Sequence, residues 1–382
     1  MNNRLLTTQQ GSLNLNRYPV ERHDLLRAWD TADEYVLNHI AEYKLLGPND
    51  RVLVINDGFG AVSLSLHANS PVIFSDSYLS HQAILNNAVA NNIPASDITF
   101  HTIDELARDK FDLVIIKLPK NMGLFEYELI ELRKLLKENS RIIVAGMVKY
   151  MPASAWALLE KTLGKTETSR AWKKSRLIFV NSIESMDMPP GPYPVCYQLE
   201  NTTYKICNHA NVFSRDSLDI GTRFFLQNLP ENDKYKTIVD LGCGNGVVGL
   251  IASAGNPAAK LYFVDESYMA IDSARDNYLR AFGSKRNADF LVADGLADFA
   301  PESVDLILCN PPFHQQQAVG DQVAVRMFKQ SREALKQQGE LWVIGNRHLA
   351  YHARLRKLFG NVERVASNQK FVIHKVVKVT WL

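Results

Sequence analysis

The sequence predicts two tandem doubly wound α/β domains, and three observations favour this fold class. An apolar run, a glycine-rich turn and a second apolar run follow one another at residues 237–249, which indicates a strand, a turn and a helix. Residues 51–62 repeat this pattern with fewer glycines, and strand-like runs follow both segments in the same order. The length of 382 residues is enough for two domains, each with its own core.

A proline-rich stretch marks the predicted boundary between the domains. Four prolines among residues 184–194 favour an extended, semi-stiff linker. We therefore expect a first domain over residues 1–183 and a second domain over residues 195–382. Behind the linker, apolar and polar residues alternate at 195–199 and 203–207, which predicts a hairpin.

The glycine-rich turn of the second domain is a candidate ligand site. Gly242 and Gly244 would let the backbone approach a ligand, with helix N–H groups facing it. Nucleotide-binding folds of many functions share such a turn. The carboxylate of Asp240, just before the glycines, would repel a pyrophosphate, whereas it suits the cationic methionine end of S-adenosylmethionine. The turn therefore favours S-adenosylmethionine over NAD.

Two more acidic residues follow the next two predicted strands. Asp265 ends the run 261–264, and an acid at a second strand tip can accept from both ribose hydroxyls. Asp294 follows the run 290–293, where it could accept from an adenine amino group. A single aspartate at such a position is as often a turn or helix-cap residue. Acids at three successive strand ends, counting Asp240, favour a cofactor site.

A fourth predicted strand, residues 304–309, leads into Asn310, Pro311, Pro312 and Phe313. Exocyclic base amines and amide nitrogens are poor nucleophiles because their lone pair is delocalised. The Asn310 side-chain oxygen and the Pro311 carbonyl can accept both N–H groups and so direct the lone pair at a methyl group. The prolines fix these acceptors in advance, and the Phe313 ring can stack on a base. The pattern predicts transfer of a methyl group to a planar amine, with Asn310 also contacting the cofactor.

The first copy lacks the residues that this chemistry needs. Residues 72–76, which end in Asp76, mirror the run that ends at Asp265. Lys117-Leu-Pro-Lys120, however, stands in the place of Asn-Pro-Pro-Phe and supplies neither a side-chain acceptor nor a stacking ring. We therefore expect the first copy to be catalytically disabled. Its lysines would contact phosphate, or the copy would serve as a structural platform.

Composition is that of an ordinary globular protein, with 46% hydrophobic and 22% charged residues. The first residues show no signal-peptide core, and no apolar run is long enough to span a bilayer. Cys196, Cys207, Cys243 and Cys309 include no C-x-x-C pair, which favours reduced thiols over disulfides or zinc. We expect a cytoplasmic protein without a metal or a membrane span, and no particular oligomeric state is predicted.

Positive charge is concentrated in two segments, although the net charge of +2 is low for a nucleic-acid-binding protein. Residues 345–382 carry eight basic residues and one acid, 8 − 1 = +7. Residues 165–176 hold five more basic residues around Trp172. Either segment could be a solvated face, but both favour RNA contact. The residues predicted to contact RNA are Lys173, Lys174, Arg176, Arg347, Arg354, Arg356 and Lys357.

Taken together, these motifs resemble a known family. Residues 230–345 are similar to class I S-adenosylmethionine-dependent methyltransferases that carry Asn-Pro-Pro-Phe and methylate amino groups. Residues 209–225 and 310–315 are similar to bacterial ribosomal RNA guanine-N2 methyltransferases, and residues 171–177 and 345–349 extend this resemblance over essentially the whole chain. It implies Rossmann-like methyltransferase domains and, through closer likeness to the large-subunit enzymes, N2-methylation of one guanosine in 23S ribosomal RNA.

The resemblance also implies that Phe213, Asp219 and Gly221 lie near the methyl donor. Two alternatives stay open. The same chemistry could act on small-subunit ribosomal RNA or on a protein glutamine amide. The chain could instead be a non-catalytic RNA-binding assembly factor that retains a cofactor fold.

Overall fold

The computed structural model describes residues 4–20, 26–102, 105, 110–181, 191–312 and 317–379. The chain divides into two compact units, Met1–Pro192 and Tyr193–Leu382, called here the first and second domains. Residues 184–190 of the predicted linker lie outside the described residues.

Each domain contains a long sheet and a separate two-stranded hairpin. The first domain comprises β1 (Leu5–Thr8), β2 (Gly11–Asn14), α1 (Thr31–Glu42), β3 (Val52–Ile55), β4 (Val72–Phe74), α2 (Tyr78–Ala90), β5 (Thr99–Phe100), β6 (Phe111–Lys117), α3 (Met122–Leu132), β7 (Leu136–Met147), α4 (Ala153–Thr162), β8 (Thr166–Thr168) and β9 (Ser175–Val180). The second comprises β10 (Val195–Gln198), β11 (Lys205–Asn208), α5 (Ile220–Leu226), β12 (Thr237–Leu241), α6 (Val247–Gly255), β13 (Lys260–Asp265), α7 (Tyr268–Phe282), β14 (Ala288–Val292), β15 (Val304–Cys309), α8 (Gln317–Ala334), β16 (Leu335–Asn346), α9 (Tyr351–Phe359), β17 (Glu363–Ser367) and β18 (Phe371–Val377).

Both sheets have seven strands in the same spatial order. The first runs β5-β4-β3-β6-β7-β9-β8 and the second β14-β13-β12-β15-β16-β18-β17. In each sheet the first five of these strands are parallel, and the last two join antiparallel. The chain order reverses between β3 and β6 and between β12 and β15, where α/β sheets bind ligands at their carboxyl edge. The prediction of tandem doubly wound α/β domains is confirmed.

The central strands of the second sheet are buried on both faces, which explains their unbroken apolar sequence. Ile238 and Leu306 pack into one core cluster on one face, together with Phe263. Val239 and Ile307, the alternate residues, pack into another cluster on the opposite face. The sheet is therefore covered on both sides, and its strand ends are held rigidly.

Asn277 of α7 ties the second-domain hairpin to the glycine-rich turn. Its amide nitrogen donates to the carbonyls of Cys207 and Asn245, both at 3.0 Å, and its oxygen accepts the Cys207 N–H at 2.8 Å. One buried side chain therefore fixes β11 against the turn that follows β12.

Asn87 of α2 makes the same set of bonds in the first domain. It donates to the carbonyls of Asn16 and Phe59 at 2.9 and 2.8 Å and accepts the Asn16 N–H at 2.9 Å. The hairpin β1–β2 therefore corresponds to β10–β11, and the repeat includes a hairpin that the sequence comparison missed.

The repeat is incomplete after β3. The pattern at residues 51–62 predicts a helix behind the turn, but the chain there forms a 3₁₀ segment, Leu64–Asn69. The Asp57 carboxylate accepts the N–H groups of Gly60, Val62 and Ser63 at 2.8 to 3.0 Å and organises this turn from within. The prediction of a helix here is therefore wrong, because the Asp57 side chain accepts the backbone N–H groups of the turn.

Two of the cysteines are paired, contrary to expectation. Cys196 and Cys207 stand opposite each other on β10 and β11 and form a disulfide. The prediction of reduced thiols is wrong for this pair, because the hairpin register brings their Cα atoms to 4.0 Å. Cys243 and Cys309 are free and buried. Within the described ranges, no group of three or more His, Cys, Asp or Glu could hold a metal ion, and no helix is long and apolar enough to cross a bilayer.

Candidate active site

Three of the predicted site residues meet at the carboxyl edge of the second sheet. β12 lies between β13 and β15, and Leu241 pairs in register with both neighbouring strands. Because these strands are parallel, the residues at their ends lie side by side. The structure therefore places Asp240, Asp265 and Asn310 around one edge at the switch point.

The turn behind β12 has a backbone that only glycine adopts without strain. Gly242, Gly244 and Gly246 have φ angles of +71°, +53° and +75°. A Cβ on Gly246 would lie 2.8 Å from the Cβ of Ala274, so a larger residue would displace α7. A Cβ on Gly244 would meet nothing within 4 Å, which leaves open space beside this part of the turn.

Asp240 is buried beneath this turn. Only 2% of the residue is exposed, and its Oδ2 accepts the Gly249 N–H of α6 at 2.7 Å. Burial raises the pKa of the carboxyl to about 8, and the nearby Asp265 adds to the rise, although the bond from Gly249 opposes it. A ligand cation beside Asp240 would favour the ionised form.

Asp265 links the turn to the start of α7. Its Oδ2 accepts the Gly244 N–H at 2.9 Å and its Oδ1 accepts the Ser267 N–H at 3.1 Å. Burial raises the pKa of this carboxyl, although the backbone donors act in the opposite direction. The carboxylate is therefore oriented by the backbone before any ligand arrives.

Asp294 is held by residues of α8 that sequence reasoning missed. Arg326 Nη2 lies 3.0 Å from Asp294 Oδ1, and both side chains are largely buried. Gln330 donates to the Asp294 carbonyl at 3.0 Å and accepts the Leu296 N–H at 3.2 Å. Arg326 and Gln330 are more than thirty positions away, and no local pattern connects them with Asp294.

Asn310 contacts the start of α5. Its Nδ2 donates to Thr222 Oγ1 at 3.0 Å, and its Oδ1 is buried with no hydrogen-bond partner among the described residues. Pro311 is buried and Pro312 is exposed, whereas Phe313 lies outside the described residues. The amide oxygen thus remains available as an acceptor.

Asp219 is the N-cap of α5. Its Oδ2 accepts the backbone N–H of Thr222 at 2.8 Å and lies 3.3 Å from the Thr222 hydroxyl. Gly221 is closely packed, since a Cβ there would lie 2.9 Å from the Phe371 ring. Asp219 is therefore linked to Asn310 through the Thr222 hydroxyl. Phe213 is 52% exposed. Thr222 was not among the predicted site residues. Asp219 is of a type favoured at helix N-caps, and the side chain of an N-cap residue accepts the N–H of the residue two or three positions into the helix.

Comparisons with known proteins match both domains of the chain. Residues 3–184 match the family model "RLMG N-terminal domain", and residues 203–375 match "Methyltransferase small domain". The ribosomal RNA large subunit methyltransferase G proteins of Stutzerimonas stutzeri (strain A1501) and Ectopseudomonas mendocina (strain ymp) are 46% and 47% identical over 375 residues. These alignments cover 98% of this chain and 99% and 100% of the relatives.

The chain belongs to the ribosomal RNA large subunit methyltransferase G family. The resemblance inferred from its motifs is confirmed. A solved structure, the T. thermophilus 16S rRNA N2 G1207 methyltransferase (RsmC) in complex with AdoMet and guanosine, has a TM-score of 0.77 at 19% identity. That likeness covers 99% of this chain and 98% of the other, and it shows that both domains share the methyltransferase fold.

In this member of the methyltransferase G family, the first domain has different residues at each corresponding strand end. Because Ile55 pairs with Ile116 as Leu241 pairs with Cys309, the register places Val54 at the position of Asp240 and Lys117 at that of Asn310.

The residue corresponding to Asp265 in the first domain is Ser75, not Asp76. Ser75 Oγ accepts the Ser77 N–H at 3.2 Å, just as Asp265 accepts the Ser267 N–H, and Ser77 and Ser267 are the N-caps of α2 and α7. The predicted equivalence of Asp76 with Asp265 is therefore wrong by one residue. A serine cannot supply the two carboxylate oxygens that a ribose diol would engage.

The Lys117 ammonium is paired with two carboxylates of α1. Its Nζ lies 2.5 Å from Asp33 Oδ1 and 3.0 Å from Asp30 Oδ1. Burial lowers the pKa of Lys117, but the two carboxylates outweigh it and raise the pKa above its usual range. Lys117 is therefore a largely buried, charged side chain whose ammonium is paired with two carboxylates of its own domain.

The residues predicted to contact RNA in the first domain lie in and beside the turn before β9. Lys173 and Lys174 are exposed. They lie at the carboxyl edge of the sheet, because Ser175, the first residue of β9, pairs with Met147 at the end of β7. Lys173 Nζ lies 4.3 Å from the centre of the Trp172 ring. Arg176, in β9, is only partly exposed.

The corresponding residues of the second domain are divided between two edges of the sheet. Arg347 is exposed directly behind the carboxyl end of β16, on the same edge as Asn310. α9 then runs towards the opposite edge, where Arg356 and Lys357 are exposed near its end. Arg354, in the middle of α9, is partly buried.

Proposed function

We propose that this protein transfers a methyl group from S-adenosylmethionine to the N2 amine of a guanosine in 23S ribosomal RNA. The observation that carries this proposal is the buried Asn310 Oδ1 beside Pro311 at the switch point, in a chain of the methyltransferase G family. This oxygen has no hydrogen-bond partner in the part of the chain that the structure describes. The relatives are named for the large ribosomal subunit, which favours 23S over 16S ribosomal RNA as the substrate.

The residues at the carboxyl edge fit S-adenosylmethionine. The open space beside Gly244 accommodates a ligand against the backbone, and the raised pKa of Asp240 marks a buried carboxyl that a ligand ammonium would ionise. Asp265 would accept from the ribose hydroxyls, and Asp294 from the adenine amine. When bound, the cofactor supplies an electrophilic methyl group.

The contribution of the chain to the reaction is orientation of the amine. Asn310 Oδ1 and the Pro311 carbonyl would accept the two N2–H groups and direct the nitrogen lone pair at the methyl donor. The nitrogen becomes cationic on transfer and loses its proton afterwards, so no base has to act first. Pro312 stiffens this segment, and Phe313 would stack on the guanine.

The target guanosine has to leave its base pair before it can enter this site. Guanine N2 takes part in Watson–Crick pairing, and a duplex hides the approach that Asn310 requires. We therefore expect an unpaired or flipped nucleotide, held by contacts outside the catalytic residues.

The first domain would supply some of these contacts. Its carboxyl edge carries four exposed lysines, Lys120, Lys149, Lys173 and Lys174, with the rings of Tyr150 and Trp172 among them. Lysines bind phosphate and the rings stack on bases, so this edge suits single-stranded RNA. Such a role in ribosome biogenesis would place the protein in the cytoplasm.

Asn310→Ala tests the catalytic assignment. We expect this variant to lose methyl transfer to 23S ribosomal RNA from cells that lack the protein, while its affinity for S-adenosylmethionine changes little. Transfer would be measured with a labelled methyl group, followed by mapping of N2-methylguanosine. Leu279→Ala, an exposed residue on α7, is a matched control that should behave as wild type.

Each remaining function has its own outcome in this assay. Label on 16S ribosomal RNA or on a protein glutamine would show that this molecule, and not 23S ribosomal RNA, is the substrate. Absence of transfer to every RNA form would favour a non-catalytic assembly factor. Full turnover by Asn310→Ala would overturn the orienting role of Asn310.

A further inference from the structure

The Thr222 hydroxyl lies between two groups of different character. Asn310 Nδ2 is 3.0 Å from Thr222 Oγ1, and Asp219 Oδ2 is 3.3 Å from the same oxygen. Thr222 is 94% buried, with a relative exposure of 6%. Its backbone N–H also donates to Asp219 Oδ2 at 2.8 Å, so α5 holds the hydroxyl in a fixed position.

The chemistry of these groups determines the direction of both hydrogen bonds. A threonine hydroxyl has one hydrogen, and an ionised carboxylate only accepts. The hydrogen of Thr222 is therefore directed at Asp219, and its oxygen can only accept from Asn310. The amide group that faces Thr222 must then be the NH₂ of Asn310, which leaves Oδ1 on the other side.

This assignment matters because an asparagine amide can rotate by half a turn at little cost in shape. In the rotated form the NH₂ group would meet the substrate amine, and two donors would face each other. Asn310 Oδ1 is buried without a partner among the described residues, as expected of an acceptor reserved for a ligand.

The first domain provides an internal comparison. Asp30 and Asp33 have the N-cap and third-residue positions of α1 that Asp219 and Thr222 have in α5, and both reach Lys117 at the position of Asn310. The same contact between helix start and strand end thus exists in both domains. Only the catalytic copy pairs a hydroxyl with an amide.

We propose that Thr222, directed by Asp219, is the positioning residue that holds Asn310 with its oxygen towards the guanine N2 amine. This inference rests on the proposed methyl transfer. It adds a specific role for the start of α5: Thr222 selects which amide atom the substrate meets, and it does so without contacting the substrate.

Two substitutions separate the hydroxyl from the shape of the side chain. Thr222→Val keeps the shape and removes the hydroxyl, whereas Thr222→Ser keeps the hydroxyl and removes a methyl group. We expect Thr222→Val to lower kcat roughly tenfold or more, since one amide loses its partner and its preferred orientation. Thr222→Ser should stay within about threefold of wild type. Thr203→Val, in the exposed turn of the hairpin, is the matched control and should leave kcat unchanged.

The readouts are kcat and KM for 23S ribosomal RNA, the Kd of S-adenosylhomocysteine from calorimetry, and the melting temperature of each full-length variant. The inference requires that kcat falls in Thr222→Val while the ligand Kd and the fold are kept, and that serine restores it. Loss with serine and retention with valine would show a packing role and overturn it. A weakened ligand Kd with normal kcat would assign Thr222 to the cofactor instead. An inactive wild-type protein would contradict the proposed function itself, which Asn310→Ala tests separately.

Discussion

Lys117 Nζ lies 2.5 Å from Asp33 Oδ1, at the position where Asn310 Nδ2 meets Thr222 Oγ1 in the second domain. A neutral hydrogen bond between a strand end and a helix start is thus replaced by a buried ion pair. The Lys117 side chain carries only donors and offers no acceptor for a substrate amine. The first domain therefore lacks the acceptor that Asn310 supplies in the second domain, in agreement with the expectation that the first copy is catalytically disabled.

Lys117→Met should destabilise the first domain strongly, by about 3–5 kcal/mol, because it leaves the Asp33 carboxylate buried without a cation. The double variant Lys117→Asn/Asp33→Thr copies the pair of the second domain and should recover most of this loss. Urea denaturation of the full chain, followed by fluorescence, measures both. Equal loss in the single and double variants would show that the ion pair itself, not the uncompensated charge, determines stability.

Asp240 predicts a pH dependence of stability in the cofactor-free protein. In the folded state Asp240 holds its proton up to about pH 8, whereas an unfolded aspartate releases it at about pH 4. The folded-state pKa is raised, so this contribution to the free energy of unfolding is complete below the unfolded pKa and is lost as pH rises through the folded pKa. The titration of Asp240 should therefore lower the stability of the protein as the pH rises from about 4 to about 8.

Asp240→Asn removes this titration while its amide oxygen can still accept the Gly249 N–H. The melting temperature of the variant should lie near that of wild type at acidic pH and above that of wild type at about pH 8 and higher. Asp233→Asn, an exposed aspartate of the same domain, serves as the control. A constant difference between Asp240→Asn and wild type across the whole range would rule out a buried, protonated Asp240.

Most of the parallel strands and their order along the chain could be predicted from the sequence, because buried parallel strands form short apolar runs that local patterns show. The antiparallel strands β8, β9, β17 and β18 were not predicted. The motif at Asn310 was recognisable because its residues are contiguous in the sequence. Contacts between segments that are distant along the chain could not be predicted. Arg326 on Asp294, Thr222 on Asn310 and the Cys196–Cys207 disulfide depend on helix placement and strand register, which composition and spacing do not encode.

RNA binding by the carboxyl edge of the first domain predicts a change in salt dependence. Lys149 and Lys174 are exposed there, and each would neutralise a phosphate and release counterions on binding. Lys149→Gln/Lys174→Gln should weaken binding of unmethylated 23S ribosomal RNA and reduce the slope of log K against log salt concentration by about one to two. Lys44→Gln/Lys161→Gln is the matched control, because those exposed lysines follow or end helices that run towards the opposite edge. Filter binding over a salt series measures both slopes. If the two double variants lose the same slope, the carboxyl edge has no special part in binding, and the first domain acts as a structural platform.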